Sequence, residues 1–162
     1  MARNDETAPP PLDLSLDPGF DLALDLDGAV RWAKAVGHPA RLRMLAMLQG
    51  GELCVCQLTA ALGLATSTVS GHLADLRRAG LVEEEKEGRW VRYRLTRAEP
   101  EASLVGRVLD LVAEDRTVRD DRRLAAELRR RSPEVLCEAG LDLAALGLGA
   151  GGRAASSGRS AS

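Results

Sequence analysis

The chain has 162 residues, of which 45% are hydrophobic and only 2% are aromatic. This length suits one ordinary domain with tails, and an aliphatic apolar content favours helices over a sheet-rich core. No apolar run approaches the roughly 20 residues that span a membrane, and the N-terminus has no apolar segment typical of a signal peptide. We therefore expect a mainly α-helical protein of the cytoplasm with no membrane partner.

The charge is unevenly distributed along the chain. The net charge is −2, which argues against a protein that coats nucleic acid indiscriminately. Residues 1–27 contain seven acids and one arginine, a net charge of −6, whereas residues 37–97 have a net charge of +3. The middle of the chain is therefore the part expected to face a polyanion.

Helices are predicted from about residue 27 onwards, after an acidic and mostly irregular arm. The segment "DGAVRWAKAV" has apolar residues at helical spacing. Gly37, His38 and Pro39 interrupt it, and Pro39 suits the first position of a second helix, "PARLRMLAMLQ". His38 is interpreted as a cap or junction residue.

Two short helices with a tight turn follow. The first, "CQLTAALGL", ends at Gly63, and the second, "ATSTVSGHLADLRRAGLV", has Thr66 or Ser67 as its expected N-cap. This arrangement indicates a helix-turn-helix. The segment "LVEEEKEGRWVRYRLT" then predicts a β-hairpin wing around Glu87 and Gly88.

Beyond the wing, the pattern predicts three more helices, of which the last and shortest carries Cys137. The low-complexity end is predicted to be disordered. The predicted fold is mainly α with a small β-hairpin wing, a dimeric winged helix-turn-helix. We expect four parts: an acidic arm at 1–27, a DNA-binding and dimerisation domain at 28–114, a helical extension at 115–140 and a disordered tail at 141–162.

The second helix of a helix-turn-helix enters the major groove, and its first residues lie near base edges. The predicted DNA contacts are Thr66, Ser67, Thr68, Ser70 and His72, with Arg89, Arg92 and Arg94 from the wing. Two alternatives stay open: the first two hydroxyls only cap the helix, and each wing arginine only covers a solvated strand face. The acidic run "EEEKE" must point away from phosphate for the wing to bind DNA.

The segments "ELCVC", "VSGHL", "LRRAGLV" and "GRWVRYRL" together resemble the ArsR/SmtB family of metal-responsive winged-helix repressors, and most resemble the repressors of arsenical-resistance operons. The resemblance covers about residues 28–112. It implies a homodimer, joined through the first and last family helices, that binds an inverted repeat in double-stranded operator DNA. It also implies release from DNA when As(III) or Sb(III) binds as inducer, with no organic cofactor and no enzyme activity.

Trivalent arsenic is thiophilic, and soft thiolates select soft ions. Cys54 and Cys56 lie where a strand gives way to a helix, and a helix start lowers the pKa of a thiol. Side chains at i and i+2 of a regular helix point to different faces, so both sulfurs could bind one ion only if the first turn distorts. Arsenic repressors of the family commonly have a third cysteine where this chain has Thr59. We therefore expect Cys137 to be the third ligand, from its own or the partner subunit; the alternative is that it is a buried small apolar residue.

Other sensing sites and functions are less favoured. Residues 100–131 contain no histidine for a zinc site at the last family helix, and residues 1–53 contain no cysteine for a cadmium or lead site. A thiol redox or persulfide-sensing repressor, with Cys137 pairing with Cys54 or Cys56, stays open. A thiol-disulfide enzyme using Cys-x-Cys is disfavoured, because such enzymes usually place the reactive pair in a β-α-β setting.

Overall fold

The computed structural model describes residues 24–97 and 101–148, and the side chains of residues 101–103 lie outside that description. The helices in these ranges are α1 (Leu26–Val36), α2 (Pro39–Leu48), α3 (Val55–Leu62), α4 (Thr66–Arg78), α5 (Glu101–Leu111), α6 (Arg116–Arg129) and α7 (Pro133–Glu138). The strands are β1 (Leu53–Cys54), β2 (Val82–Glu87) and β3 (Trp90–Leu95). The prediction of a mainly helical fold is confirmed, while most of the predicted arm and tail lies outside the described residues.

Side chains fix the beginnings of the first two helices. The Asp25 carboxylate caps α1 by accepting from the Gly28 N–H at 2.7 Å. His38 caps α2 through Nδ1, which accepts from the Ala40 N–H at 3.1 Å, and Pro39 follows as the first helical residue. The interpretation of His38 as a cap is therefore confirmed.

The helix-turn-helix consists of α3 and α4. Gly63 ends α3 with φ +64°, a left-handed conformation that glycine adopts without strain. The residue before α4 is Ala65, whose extended backbone makes it the N-cap although its methyl side chain cannot accept a hydrogen bond. The prediction that Thr66 or Ser67 caps α4 is wrong, because the turn closes one residue earlier and both residues lie within the helix.

The three strands form an antiparallel sheet in the order β1-β3-β2. The predicted hairpin pairs Glu87 with Trp90 across a turn that contains Gly88 at φ +59°. The short strand β1 pairs with the other edge of β3, so that Cys54 lies opposite Arg92. The base of the wing is thus joined directly to the cysteine-containing strand.

The core is aliphatic, and the C-terminal helices are part of it. Its largest fully buried side chains are Met44, Leu45, Met47, Leu48, Leu53, Leu58, Leu73, Leu76, Leu81, Leu109, Leu128 and Leu136. Each buried leucine contributes roughly 1.5–3 kcal/mol relative to an exposed one. Leu128 of α6 and Leu136 of α7 belong to this set, and α6 packs on α2 and α3 while α7 packs on α3.

An ion pair also fixes α6 to α2. The Arg43 guanidinium donates two hydrogen bonds to Asp121, from Nε to Oδ2 at 2.6 Å and from Nη2 to Oδ1 at 2.8 Å. The Asp121 hydrogen bonds raise the pKa of Arg43, although burial opposes them. Among the described residues, no helix combines the length and apolar character needed to cross a membrane.

Candidate inducer site and DNA-reading surface

Cys54 lies at the N-cap of α3 and is almost completely buried. Its backbone is extended (φ −85°, ψ 163°), and its N–H donates to Oε1 of Gln57 at 2.9 Å. The other end of the Gln57 amide donates from Nε2 to the Leu128 carbonyl of α6 at 2.8 Å. A buried glutamine therefore ties the start of α3 to the end of α6.

The thiols of Cys54 and Cys56 interact directly. The pKa of Cys54 is lowered to about 7, first because the Cys56 thiol donates a hydrogen bond to it and then, against the effect of burial, because the Gln57 and Cys56 amides and the Arg92 charge favour the thiolate. The pKa of Cys56 is raised, because its proton is held by Cys54 and its site is partly buried. Cys54 precedes the helix with an extended backbone while Cys56 lies in its first turn, and the expected distortion of that turn on binding one ion stays a prediction.

Cys137 completes this group, which we call the thiol cluster: Cys54, Cys56 and Cys137. Cys137 lies on α7, which packs on α3, and its electrostatic influence adds to those of Cys54 and burial in raising the pKa of Cys56. The alternative that Cys137 is a buried apolar residue is wrong, because Cys137 is exposed and Leu136 occupies the core instead. The two faces of this short helix thus have different roles.

The three thiols of the cluster do not surround a common point that could hold an ion. Within residues 24–97 and 101–148, no three His, Cys, Asp or Glu side chains already have an arrangement that would hold a metal ion. Thr59, one turn after Cys56, is buried, and its hydroxyl has no hydrogen-bond partner among the described residues. Holding one soft ion with all three sulfurs would therefore need a rearrangement of the cluster.

The start of α4 presents a surface of short polar side chains. Its exposed hydroxyl residues are Thr66, Ser67, Thr68 and Ser70. His72, one turn further, is half-buried against His38, with ring centroids 4.4 Å apart, and burial lowers its pKa. No side chain of the described residues would touch a Cβ at Gly71. Hydroxyl groups can donate to bases or phosphates, so this surface has the chemistry of a recognition helix.

The wing arginines are paired with carboxylates in the described structure. Arg92 lies 2.6 Å from Glu87 and 3.1 Å from Glu52. Arg94 similarly pairs with Glu83 at 2.9 Å and Glu85 at 3.4 Å. Two residues of the acidic run thus lie on the same strand face as Arg94, so any phosphate must compete with these carboxylates for the arginines.

The sequence did not predict the hydrogen bonds of three residues: Gln57 on α3, Trp90 on the wing and Glu134 on α7. Gln57 lies three residues after the N-cap, a capping-box spacing that a search allowing cysteine as the cap would have found. Trp90 and Glu134 are joined by a hydrogen bond from Nε1 to Oε1 of 2.7 Å. No sequence pattern connects these two residues, which lie 44 positions apart.

Known proteins are similar to part of this chain in sequence. The family model described as "Bacterial regulatory protein, arsR family" matches residues 38–84. The arsenic resistance transcriptional regulator ArsR1 of Pseudomonas putida is 48% identical over 63 residues, which cover 38% of this chain and 49% of that relative. The transcriptional activator HlyU of Vibrio cholerae is 43% identical over 76 residues, which cover 47% of this chain and 70% of that protein. The match therefore spans about half the length of the first relative and more of the second.

Solved structures agree with the fold. HlyU of Vibrio cholerae superimposes with a TM-score of 0.50 at 36% identity, over 54% of this chain and 95% of that chain. The homodimeric winged helix-turn-helix DNA-binding domain of a possible ArsR-family regulator from Mycobacterium bovis gives a TM-score of 0.50 at 35% identity, over 55% of this chain and 82% of that chain. With its helix-turn-helix, hairpin wing and matching relatives, the chain belongs to the arsR family of bacterial regulatory proteins.

Proposed function

We propose that this protein is an arsenite- and antimonite-responsive transcriptional repressor that binds operator DNA as a homodimer. Trivalent arsenic or antimony would be held by Cys54, Cys56 and Cys137, and its binding would release the DNA. The observation that carries the proposal is the packing of α7, which carries Cys137, on α3, whose start holds Cys54 and Cys56 in the same chain. The arsenic resistance regulator among the relatives supports the choice of inducer.

The donor chemistry of the thiol cluster fits this inducer. Three sulfur ligands suit a soft trivalent ion, which when bound supplies three bonds to thiolate sulfur. Cys54 contributes a thiolate that the Cys56 thiol and, to a smaller extent, the N-cap amides stabilise, with its pKa lowered to about 7. Thr59, whose side chain is buried, occupies the position at which arsenic repressors of the family commonly have a third cysteine. The third thiol is therefore proposed to come from Cys137 on α7. The segment at 115–140 is accordingly proposed to be part of the inducer site.

The location of the cluster connects it to DNA binding. Cys54 caps α3, and α3 leads through the turn at Gly63 into α4, the proposed recognition helix. Movement at the start of α3 would therefore displace the exposed hydroxyl groups at the start of α4. The proposed DNA contacts remain Thr66, Ser67, Thr68, Ser70 and His72, with Arg89 and Arg92 from the wing.

The homodimer is proposed to form through the outer helices of the domain at 28–114. Apolar side chains are exposed on both α1 and α5: Leu26 and Val30 are 79% and 42% exposed, and Leu111 is 67% exposed. Exposed apolar side chains on a domain surface favour association with a partner. The homodimeric relative from Mycobacterium bovis supports this assignment, and a DNA-bound repressor would act in the cytoplasm.

A mobility-shift titration tests the proposal. The full chain is bound to a duplex containing the promoter of its own gene, and arsenite is added. We expect micromolar arsenite to release the wild-type protein, and neither Cys54→Ser nor Cys56→Ser to respond. Glu138→Ser, an exposed change next to Cys137, serves as the matched control and should respond like wild type. DNA binding that is indifferent to arsenite in the wild type would contradict the proposal.

The neighbouring positions of Cys56 and Cys137 also favour a second function, a thiol redox-sensing repressor of the same fold. Oxidation would join the two sulfurs, with two protons and two electrons passing to an added oxidant such as diamide. Mass spectrometry after mild oxidation would then find a Cys56–Cys137 linked peptide and a matching loss of DNA binding. If no linked peptide forms, this alternative fails.

A further inference from the structure

The tip of the wing contacts α7 through three side chains, Arg89, Trp90 and Glu134, which we call the wing–α7 contact. Trp90 donates from Nε1 to Oε1 of Glu134 at 2.7 Å. The Arg89 guanidinium lies 4.9 Å from the centroid of the Trp90 ring and 3.7 Å from the same carboxylate oxygen. The carboxylate therefore positions the tryptophan and partly neutralises an arginine that the wing would offer to phosphate.

The helix α7 also faces the thiol cluster. Within its six residues, Glu134 contacts the wing, Leu136 is buried in the core, and the exposed Cys137 is close enough to α3 to influence Cys56 electrostatically. Residues three apart on a helix are neighbours on one face. We expect a displacement of this six-residue helix that moves Cys137 to move Glu134 as well.

We propose that Glu134 is a positioning residue that couples the thiol cluster to the wing through Trp90 and Arg89. This inference rests on the proposed function and specifies how inducer binding reaches the DNA-binding surface. When Cys137 approaches Cys54 and Cys56, α7 carries Glu134 with it, and the wing tip follows. Because β1 pairs Cys54 with Arg92, the base of the wing is fixed and the displacement concentrates at the turn around Arg89.

Coupling between two binding sites is reciprocal, so DNA on the wing must alter the affinity of the thiol cluster for arsenite. We expect the same displacement of α7 to change the exposure of Cys137, and with it the alkylation rate, even without arsenite. The test measures the rate at which iodoacetamide alkylates Cys137, by peptide mass spectrometry, in the full chain with and without a saturating promoter duplex. We expect the duplex to change this rate at least about fivefold in the wild type and in the control Glu138→Ala. The change should disappear in Glu134→Ala and in Trp90→Phe, which break the contact from either side.

Two outcomes would overturn the inference. One is a wild-type Cys137 whose alkylation rate does not respond to the duplex. The other is an effect of unchanged size in both Glu134→Ala and Trp90→Phe, as expected if the duplex simply covers the thiol. Glu134→Ala lies on α7 and Trp90→Phe on β3. If one variant fails to fold, the alkylation rates of the other still test the inference.

A second arm adds arsenite and separates this inference from the proposed function. In Glu134→Ala we expect arsenite to protect the three thiols from alkylation as in the wild type, while release of the duplex needs at least about fivefold more arsenite. Equal release in the variant and the wild type would contradict the coupling role. If arsenite protects no thiols in the wild type, the proposed function fails, and the duplex-dependent alkylation still decides the role of Glu134.

Discussion

The two sides of the thiol cluster are held in different ways. On α3, Cys54 is buried at the N-cap, and Gln57 connects its backbone to α6 through hydrogen bonds of 2.9 and 2.8 Å. On α7, Cys137 is exposed on a short helix that is anchored by Leu136 and by the wing–α7 contact. This difference indicates that the pair on α3 is preorganised, whereas the third thiol has to be brought to it.

The largest expected effect comes from removing Cys137, the thiol on α7. Cys137→Ser removes the third proposed ligand and should weaken arsenite binding about 100-fold, equivalent to about 2.7 kcal/mol. Thr59→Cys in the same variant should recover much of the loss, because it supplies a thiol one turn after Cys56 on the rigid side. Competition of arsenite against a fluorescent thiol reagent measures both affinities.

The outcome is interpreted against Glu138→Ser, which leaves all thiols in place. Equal affinities in Cys137→Ser and the wild type would show that α7 contributes no ligand. A double variant no tighter than Cys137→Ser would show that the Thr59 position does not face the cluster.

A smaller effect tests whether α6, to which Gln57 connects the α3 side of the cluster, is a fixed part of the core. Asp121→Asn leaves the Arg43 guanidinium without its counter-charge and should lower the free energy of unfolding by about 2 kcal/mol, a reduced value because the Arg43 side chain is 31% exposed. Urea denaturation followed by circular dichroism measures it. Asp120→Asn is the control, since its arginine partners are exposed and 3.8 Å away, and it should cost less than about 0.5 kcal/mol.

The smallest effect concerns the protonation of the Cys54 thiol, on the α3 side of the cluster. The pKa of Cys54 is lowered from 9.0 to about 7, first by the hydrogen bond from Cys56, so one thiolate should appear with a midpoint near pH 7. Because the folded pKa is the lower one, this thiolate stabilises the fold above about pH 9 and the contribution is lost as the pH falls to about 7. Thiolate ultraviolet absorbance follows the titration, and Cys56→Ala, which removes the donor, should move the midpoint upwards. An unchanged midpoint would contradict the direct contact of the two thiols.

Local signals predicted most of the fold. Apolar spacing predicted the helices, and Pro39 and Gly63 marked the start of α2 and the end of α3. The N-cap of α4 was predicted at the wrong residue, because hydroxyl side chains are common caps and the backbone at Ala65 cannot be inferred from its side chain. A helix boundary that depends on the backbone conformation of a single residue therefore could not be predicted from the sequence pattern.

The site was predictable only in part, for a physical reason. Cys54 and Cys56 are close in sequence, so their common location followed from local structure. The approach of Cys137 to Cys56 depends on how α7 packs on α3, and the pairing of Trp90 with Glu134 depends on the same packing. Long-range packing of this kind has no local signature, and the glutamate partners of the wing arginines were likewise set by strand register.

The central claim is that one inducer ion is bound by sulfur from both α3 and α7. Arsenic-edge X-ray absorption on the arsenite-loaded protein tests it most directly, because the method counts the sulfur neighbours of arsenic. We predict three sulfur neighbours in the wild type and two in Cys137→Ser. Three sulfur neighbours in both proteins, or two in the wild type, would contradict the assignment of Cys137.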